Sequence, residues 1–192
     1  MELIKRYKAG DKQAFTELIN RYQHRVYNTT FRMLGNHEDA LDTAQETFIR
    51  VFNNIDNFKF KSNFSTWLFR ITGNLCRDEL RKRNNNLKMY SIQNDRPDLE
   101  TRDQKEGNKN NPEKISLNKE LQKVIQEKID QLPQTQKTVI VLRDIQGFSY
   151  KEIAEVLDIS MGTVKSRLSR ARSGLRNRLN RIKKGGIKRN ET

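Results

Sequence analysis

Hydrophobic positions along this 192-residue chain recur by threes and fours and never with strand-type alternation, so the pattern predicts an all-α protein. Gly10-Asp11 opens the first clear helix, with Asp11 as N-cap. Phe15, Leu18, Ile19, Tyr22, Val26 and Phe31 follow at helical spacing, and Gly35 suits a left-handed C-cap. A second helix carries Leu41, Ala44, Phe48, Val51, Phe52 and Ile55 as its inner stripe and ends at Asp56-Asn57. The segment FKFKSNF, residues 58–64, breaks the period and reads as a loop. A third helix starts near Ser65, lines its inner face with Trp67, Leu68, Ile71, Leu75 and Leu80, and runs into Arg81-Lys82-Arg83. Three amphipathic helices of this kind make a small bundle.

The period then fails. Residues 84–114 are dominated by Asn, Asp, Lys and Glu, with too few apolar side chains to offset the entropy of ordering them, so they read as a linker. Periodicity resumes at Leu117, Leu121, Val124, Ile125 and Ile129. Pro133 opens another helix carrying Val139, Ile140, Leu142 and Ile145, which Gly147 ends. Next comes SYKEIAEVLDISMGTVKSRLSRARSGLRNRL, residues 149–179. The expected organisation is two small helical domains, 1–88 and 117–183, with a flexible linker over 89–116 and a basic tail over 184–192.

The 149–179 stretch holds the clearest local chemistry. Ser149-Tyr150-Lys151-Glu152 is a capping box, and Ile153, Ala154 and Leu157 give the helix it starts an inner face. Asp158-Ile159-Ser160 makes a turn, with Asp158 suited to a left-handed residue and Ser160 to a new N-cap. Val164, Leu168, Ala171, Leu175 and Leu179 stripe the next helix. This is a helix-turn-helix, in which the small Ala154 lets the two helices cross closely. The opposite face presents Lys165, Ser166, Ser169 and Arg170 near the helix N-terminus, where recognition helices meet base edges. Arg170 can donate bidentately to guanine, and the serines suit phosphate or either base type. Arg167, Arg172, Arg176 and Arg178 would flank the groove and neutralise phosphates.

Charge sharpens that reading. The chain carries a formal net charge of +14, and residues 161–192 hold eleven Lys/Arg against the single acid Glu191. A polyanion should therefore meet the C-terminal end, leaving the N-terminal half for another task. Hydrophobic residues are only 34% of the chain, which favours small cores over one large one. One cysteine, Cys76, excludes an internal disulfide and fits a reducing cytoplasm. The opening MELIKRYKAGDKQ is polar and no run approaches a membrane span, so neither a secretory signal nor membrane insertion is expected. No paired acids, metal-ligand cluster, nucleophile–base set or glycine-rich phosphate loop stands out, so no enzymatic activity, cofactor or metal is expected.

Three stretches carry a resemblance: ALDTAQETFIRVFNNIDNF, FSTWLFRITGNLCRDELRKR and GTVKSRLSRAR. They resemble bacterial RNA polymerase sigma factors of the sigma-70 family, in the extracytoplasmic-function (ECF) group. The likeness covers both domains and their order. It implies that the helix bearing Asp42, Gln45 and Glu46 docks on the clamp helices of the polymerase β′ subunit, and Glu38, Asp39, Asp42 and Glu46 do form an acidic face suited to a protein partner. The loop from Lys59 and the following helix match the family's reader of the melted −10 element, through Lys61, Ser62, Asn63 and Phe64, with Asn74, Arg77 and Arg81 further along. Each of Phe58, Phe60 and Phe64 either anchors that loop in the core or faces the strand. The resemblance gives −35 recognition to Lys165, Ser166, Ser169 and Arg170, and seats the C-terminal domain on the flap of the β subunit. It further implies core RNA polymerase and promoter DNA as partners and control by an anti-sigma factor, commonly membrane-anchored. The competing expectation is a stand-alone helix-turn-helix regulator that needs no polymerase.

Overall fold

The computed structural model describes the backbone of residues 1–93 and 123–187, and the side chains of 1–85 and 123–180. Leu117, Leu121, most of the expected linker and the last five residues of the tail lie outside the described residues.

The chain starts with a helix that the spacing of apolar residues does not announce. Helix α1 (Glu2–Lys8) buries only Leu3 and Ile4, a single turn's worth, which is too little for a periodic signal. Arg6 joins it to the next element, bonding Asp11 at 2.7 Å and Glu17 at 3.2 Å. The Asp11 carboxylate also accepts the N–H groups of Gln13 and Ala14 and so starts α2 (Lys12–Leu34) as expected. Gly35 closes α2 at φ 78°, its N–H on the Phe31 carbonyl at 2.8 Å. Helix α3 (His37–Asn54) is capped by Asn36 and ends in a 3-10 turn, Ile55–Asn57.

Helix α4 (Phe64–Gln93) runs ten residues past Arg83 and five past the expected start of the linker at 89. Its polar composition reads as linker, but no Gly or Pro interrupts residues 74–96, so nothing stops the helix after Arg83. In the second half, residues 123–130 form α5, Pro133 stands at the N-cap of α6 (Gln134–Ile140), and a π-helical turn, Val141–Ile145, follows directly. Gly147 (φ 77°) then ends the segment. Helices α7 (Tyr150–Leu157) and α8 (Met161–Ile187) cross through the turn at Asp158, which adopts φ 54°.

Expected core assignments change on four elements; on α8 the inner stripe holds for Val164, Leu168 and Ala171, but Leu179, two turns beyond Ala171, is exposed. On α3 the buried row is Ala40, Thr43, Ala44, Thr47 and Val51, while Leu41 and Phe52 are exposed. On α5 Ile125 is exposed and Gln126 is buried, because Gln126 bridges Arg32 and Asp130. Ile145, at the end of the π turn, is also exposed.

The two halves do not keep separate cores. Helix α4 buries Leu68 and Leu75, and also Phe69, Thr72 and Cys76, and α7 packs along it. Phe69 and Phe148 meet edge to face with centroids 5.1 Å apart, joining both halves in one continuous apolar cluster.

The capping box forms in full: Glu152 donates its N–H to the Ser149 hydroxyl at 3.2 Å, and the Ser149 N–H reaches the Glu152 carboxylate at 2.9 Å. The Ser149 N–H and hydroxyl, with a smaller contribution from Asn63, hold the Glu152 carboxyl below its ordinary value. A depressed carboxyl contributes stability above its unfolded pKa and loses it as pH falls through the folded one. Ser149→Ala should therefore cost about 1 kcal/mol in urea denaturation near pH 7, and the gap to wild type should shrink near pH 3.

Candidate functional site

Three surfaces carry the residues singled out by sequence. The first is the N-terminal part of α8. The Ser160 hydroxyl accepts the Thr163 N–H at 3.1 Å and so sets where the helix begins. Val164, Leu168 and Ala171 are buried, which turns Lys165, Ser166, Ser169 and Arg170 outward together. Ser166 donates to the Thr163 carbonyl at 3.0 Å, leaving its oxygen lone pairs for an incoming donor. Arg167 is half-buried at the edge of this face, and Arg176 is exposed.

Two of the expected phosphate-binding arginines are engaged within the protein. Arg172 makes a two-pronged pair with Asp144, at 2.6 and 3.1 Å. Arg178 donates to the carbonyls of Gln131 at 3.1 Å and Gly174 at 3.0 Å. Asp144 lies in the π turn, whose position relative to α8 the sequence does not reveal. Arg172 thus ties the helix-turn-helix to the π turn rather than presenting an unpaired cation.

The second surface is the loop before α4. Lys8 of α1 donates to the carbonyls of Asp56 (2.7 Å) and Phe58 (3.0 Å), pinning the loop at its start. Phe58 and Phe64 are both buried, and Phe64 packs against Tyr22 at 5.4 Å and Trp67 at 5.8 Å between centroids. Phe64, expected among the strand-contacting residues, is therefore an anchor, because its ring is spent in this aromatic cluster. Phe60 takes the opposite role. It is 37% exposed, with its backbone at φ 57°, a conformation that bulky residues avoid. One face of its ring lies under the Lys8 ammonium, 5.5 Å from the centroid. Lys61 and Asn63 are exposed beside it and Ser62 is half-buried. Further along α4, Asn74 and Arg77 are exposed and bond to each other, and Arg81 reaches Asp78 at 3.9 Å.

The third surface is the outer face of α3. Asp42 and Gln45 are exposed there, and Glu46 bonds Arg50 at 2.8 Å. Asp39 leaves the expected acidic face, since it pairs with Arg83 of α4. What sequence reasoning missed is an apolar component: Leu41 is 43%, Ile49 55% and Phe52 53% exposed on the same helix. The signal was present but inverted. Alanines and threonines make the buried row, so the large apolar residues fall outside. Phe52 keeps one side of its ring on Phe15, at 5.2 Å between centroids, and on Tyr7 at 6.4 Å; with Leu41 and Ile49 it leaves apolar area at the surface of the kind that suits a protein partner. Cys76, by contrast, is buried, and burial pushes its thiol up to about 12, so it stays protonated.

Comparison with known proteins follows this division. The family profile for sigma-70 region 2 matches residues 18–86, and that for sigma-70 region 4 matches 122–175. The ECF RNA polymerase sigma factor SigW of Bacillus subtilis is 41% identical over 176 residues, covering 92% of this chain and 94% of that protein. The ECF RNA polymerase sigma-E factor of Escherichia coli is 34% identical over 181 residues, covering 92% of each. Among solved structures, CnrH in complex with the cytosolic domain of CnrY aligns with a TM-score of 0.68 and 26% identity, over 93% of this chain and 95% of that one.

The two loop phenylalanines should separate cleanly in a stability measurement. Phe58→Ala removes a buried ring and should cost about 3–5 kcal/mol. Phe60→Gly releases a left-handed residue worth roughly 1–2 kcal/mol, which offsets the packing it loses, so its unfolding midpoint should stay close to wild type.

Proposed function

The chain belongs to the sigma-70 family of bacterial RNA polymerase sigma factors, in its ECF group, and from that premise we propose which of its surfaces carry the work. A sigma factor binds core RNA polymerase and directs promoter-specific initiation, and this chain does so; the family is one of initiation factors rather than enzymes. The alternative of a stand-alone regulator does not account for an N-terminal region of sigma-70 type.

In our reading, residues 1–88 form the unit that binds core and reads the −10 element, 117–183 the unit that reads −35, and 89–116 the connection between them. Helix α3 docks on the β′ clamp helices. Leu41, Ile49 and Phe52 supply apolar area there, and Asp42, Gln45 and Glu46 the polar contacts that fix register. The loop holding Lys61, Ser62 and Asn63 contacts the melted −10 strand, with Phe60 as its exposed aromatic and Asn74, Arg77 and Arg81 extending the track along α4. Lys165, Ser166, Ser169 and Arg170 enter the major groove at −35. The observation that carries this is the recognition face itself. A formed capping box, a left-handed Asp158 and the Ser160 cap together orient four polar side chains outward over a buried stripe.

The cellular setting follows from the partner. Polymerase is cytoplasmic, and among the described residues no helix is long and apolar enough to cross a membrane. The related CnrH has been solved in complex with the cytosolic domain of CnrY, and we assign this chain an anti-sigma partner of its own.

Transcription reconstituted with core polymerase tests the reading. Arg170→Ala should lower output from cognate promoters and relax the −35 preference at one base pair, by about 1–3 kcal/mol. Unchanged promoter ranking would remove Arg170 from base reading. Gln45→Ala combined with Glu46→Ala should weaken core binding while circular dichroism stays native. An unaltered core affinity would place the docking face elsewhere.

A further inference from the structure

Helix α1 lies N-terminal to the residues matched by the region 2 profile, which begin at 18, yet its last turn reaches the loop before α4. Consecutive side chains make the connection. Arg6 pairs with Asp11 and Glu17 at the start of α2, at 2.7 and 3.2 Å. The Tyr7 ring packs on Phe15 of α2 with centroids 5.3 Å apart. Lys8 turns to the loop and donates to the carbonyls of Asp56 and Phe58 at 2.7 and 3.0 Å. Those carbonyls lie where the 3-10 turn ends, and a cation is favourable there. Helix α1 is thus a strut between α2 and the loop.

What the strut holds is Phe60. The two carbonyls occupy two of the three donors of the Lys8 ammonium, and its Nζ stands 5.5 Å from the Phe60 centroid. Phe58, itself buried, meets the same ring edge to face at 5.1 Å. The Phe60 backbone sits at φ 57°, which glycine adopts freely and phenylalanine does not. Such a residue persists only where its surroundings over-determine it, and here the surroundings are Lys8 and Phe58. Neither contact buries the ring. It stays 37% exposed, beside the exposed Lys61 and Asn63. Phe58 and Phe64 already anchor the loop in the core, so packing gives Phe60 no task of its own.

A flat ring fixed at the surface among cations suits a base that has left its stack. The base lies on the ring while a lysine beside it neutralises the backbone. We propose that Lys8 is a positioning residue for single-strand binding: it fixes Phe60 so that the open part of the ring stacks on one unpaired base of the melted −10 strand. This rests on the assignment of the loop to that strand made above. Stacking accepts every base. The ring therefore adds hold on the open strand and leaves the choice of sequence to groups that bond base edges, such as Ser62 and Asn63.

The test uses holoenzyme assembled from core polymerase and the full chain. The probe is a cognate promoter with a pre-opened −10 bubble, in which 2-aminopurine replaces one base at a time. With the wild-type chain, fluorescence should be quenched at one position. Phe60→Gly should abolish that quench and weaken bubble binding about tenfold, within the range for one base on an aromatic ring. Lys8→Met keeps the apolar stem and removes the charge; it should lower the quench and weaken binding about threefold. In the Phe60→Gly background, Lys8→Met should change nothing further, because it acts through the ring. The salt dependence of binding should keep its slope in Lys8→Met. A quench that survives Phe60→Gly, or effects of the two substitutions that add in full, overturns the proposal. A slope smaller by about 0.7 in Lys8→Met makes Lys8 a phosphate contact and overturns it too. Lys61→Ala combined with Asn63→Ala separates this from the assignment of the loop. If that pair weakens bubble binding while Phe60→Gly and Lys8→Met do not, the stacking role alone fails. If none of these substitutions matters, the loop is not the −10 reader.

Discussion

Scarcity of apolar side chains governs this structure. With 34% hydrophobic residues spread over eight described helices, the two halves share one apolar cluster rather than keeping separate cores. The meeting of Phe69 and Phe148 resolves that shortage. Both rings are buried where the halves meet. Polar anchors at Arg25 and Lys137 make the contact specific, and a cleft opens beside it.

The same shortage shapes α3. Its inward row is built from alanine and threonine, small enough for α2 and α4 to approach closely. Threonines can be buried this way because each hydroxyl can bond back to a carbonyl, as Thr47 does to Thr43. Leu41, Ile49 and Phe52 are thereby released to the outside. Small residues serve the packing of this helix, and large ones are left at its surface.

The cations of the last helix and of the loop before α4 show a comparable division. Arg172 and Arg178 hold α8 to the rest of its unit, whereas Lys165 and Arg170 project from it. In the loop before α4, Lys8 works from outside the loop, fixing two carbonyls and covering the Phe60 ring. A left-handed phenylalanine is an unfavourable residue for a loop that only has to connect two helices. Its persistence at an exposed position fits a loop that has to present a ring.

Local chemistry made much of the protein legible in advance. The capping box at Ser149, the turn at Asp158, the Asp11 and Gly35 caps and the recognition face all depend on neighbours within one or two helical turns, and each formed as its residues dictate. Helix α1 escaped because two apolar residues make no period, and the extension of α4 escaped because composition says little where no breaker stands. The roles of Phe64 and Phe60, the inversion of α3 and the pairing of Arg172 with Asp144 were settled only in three dimensions. Each depends on a partner distant in sequence: Tyr22 for Phe64, Lys8 for Phe60, Asp144 for Arg172. Helical periodicity states that a residue has a face; it does not state what lies opposite. That is decided by which helices meet, and here they met across the whole length of the chain, from Arg25 to Gln146.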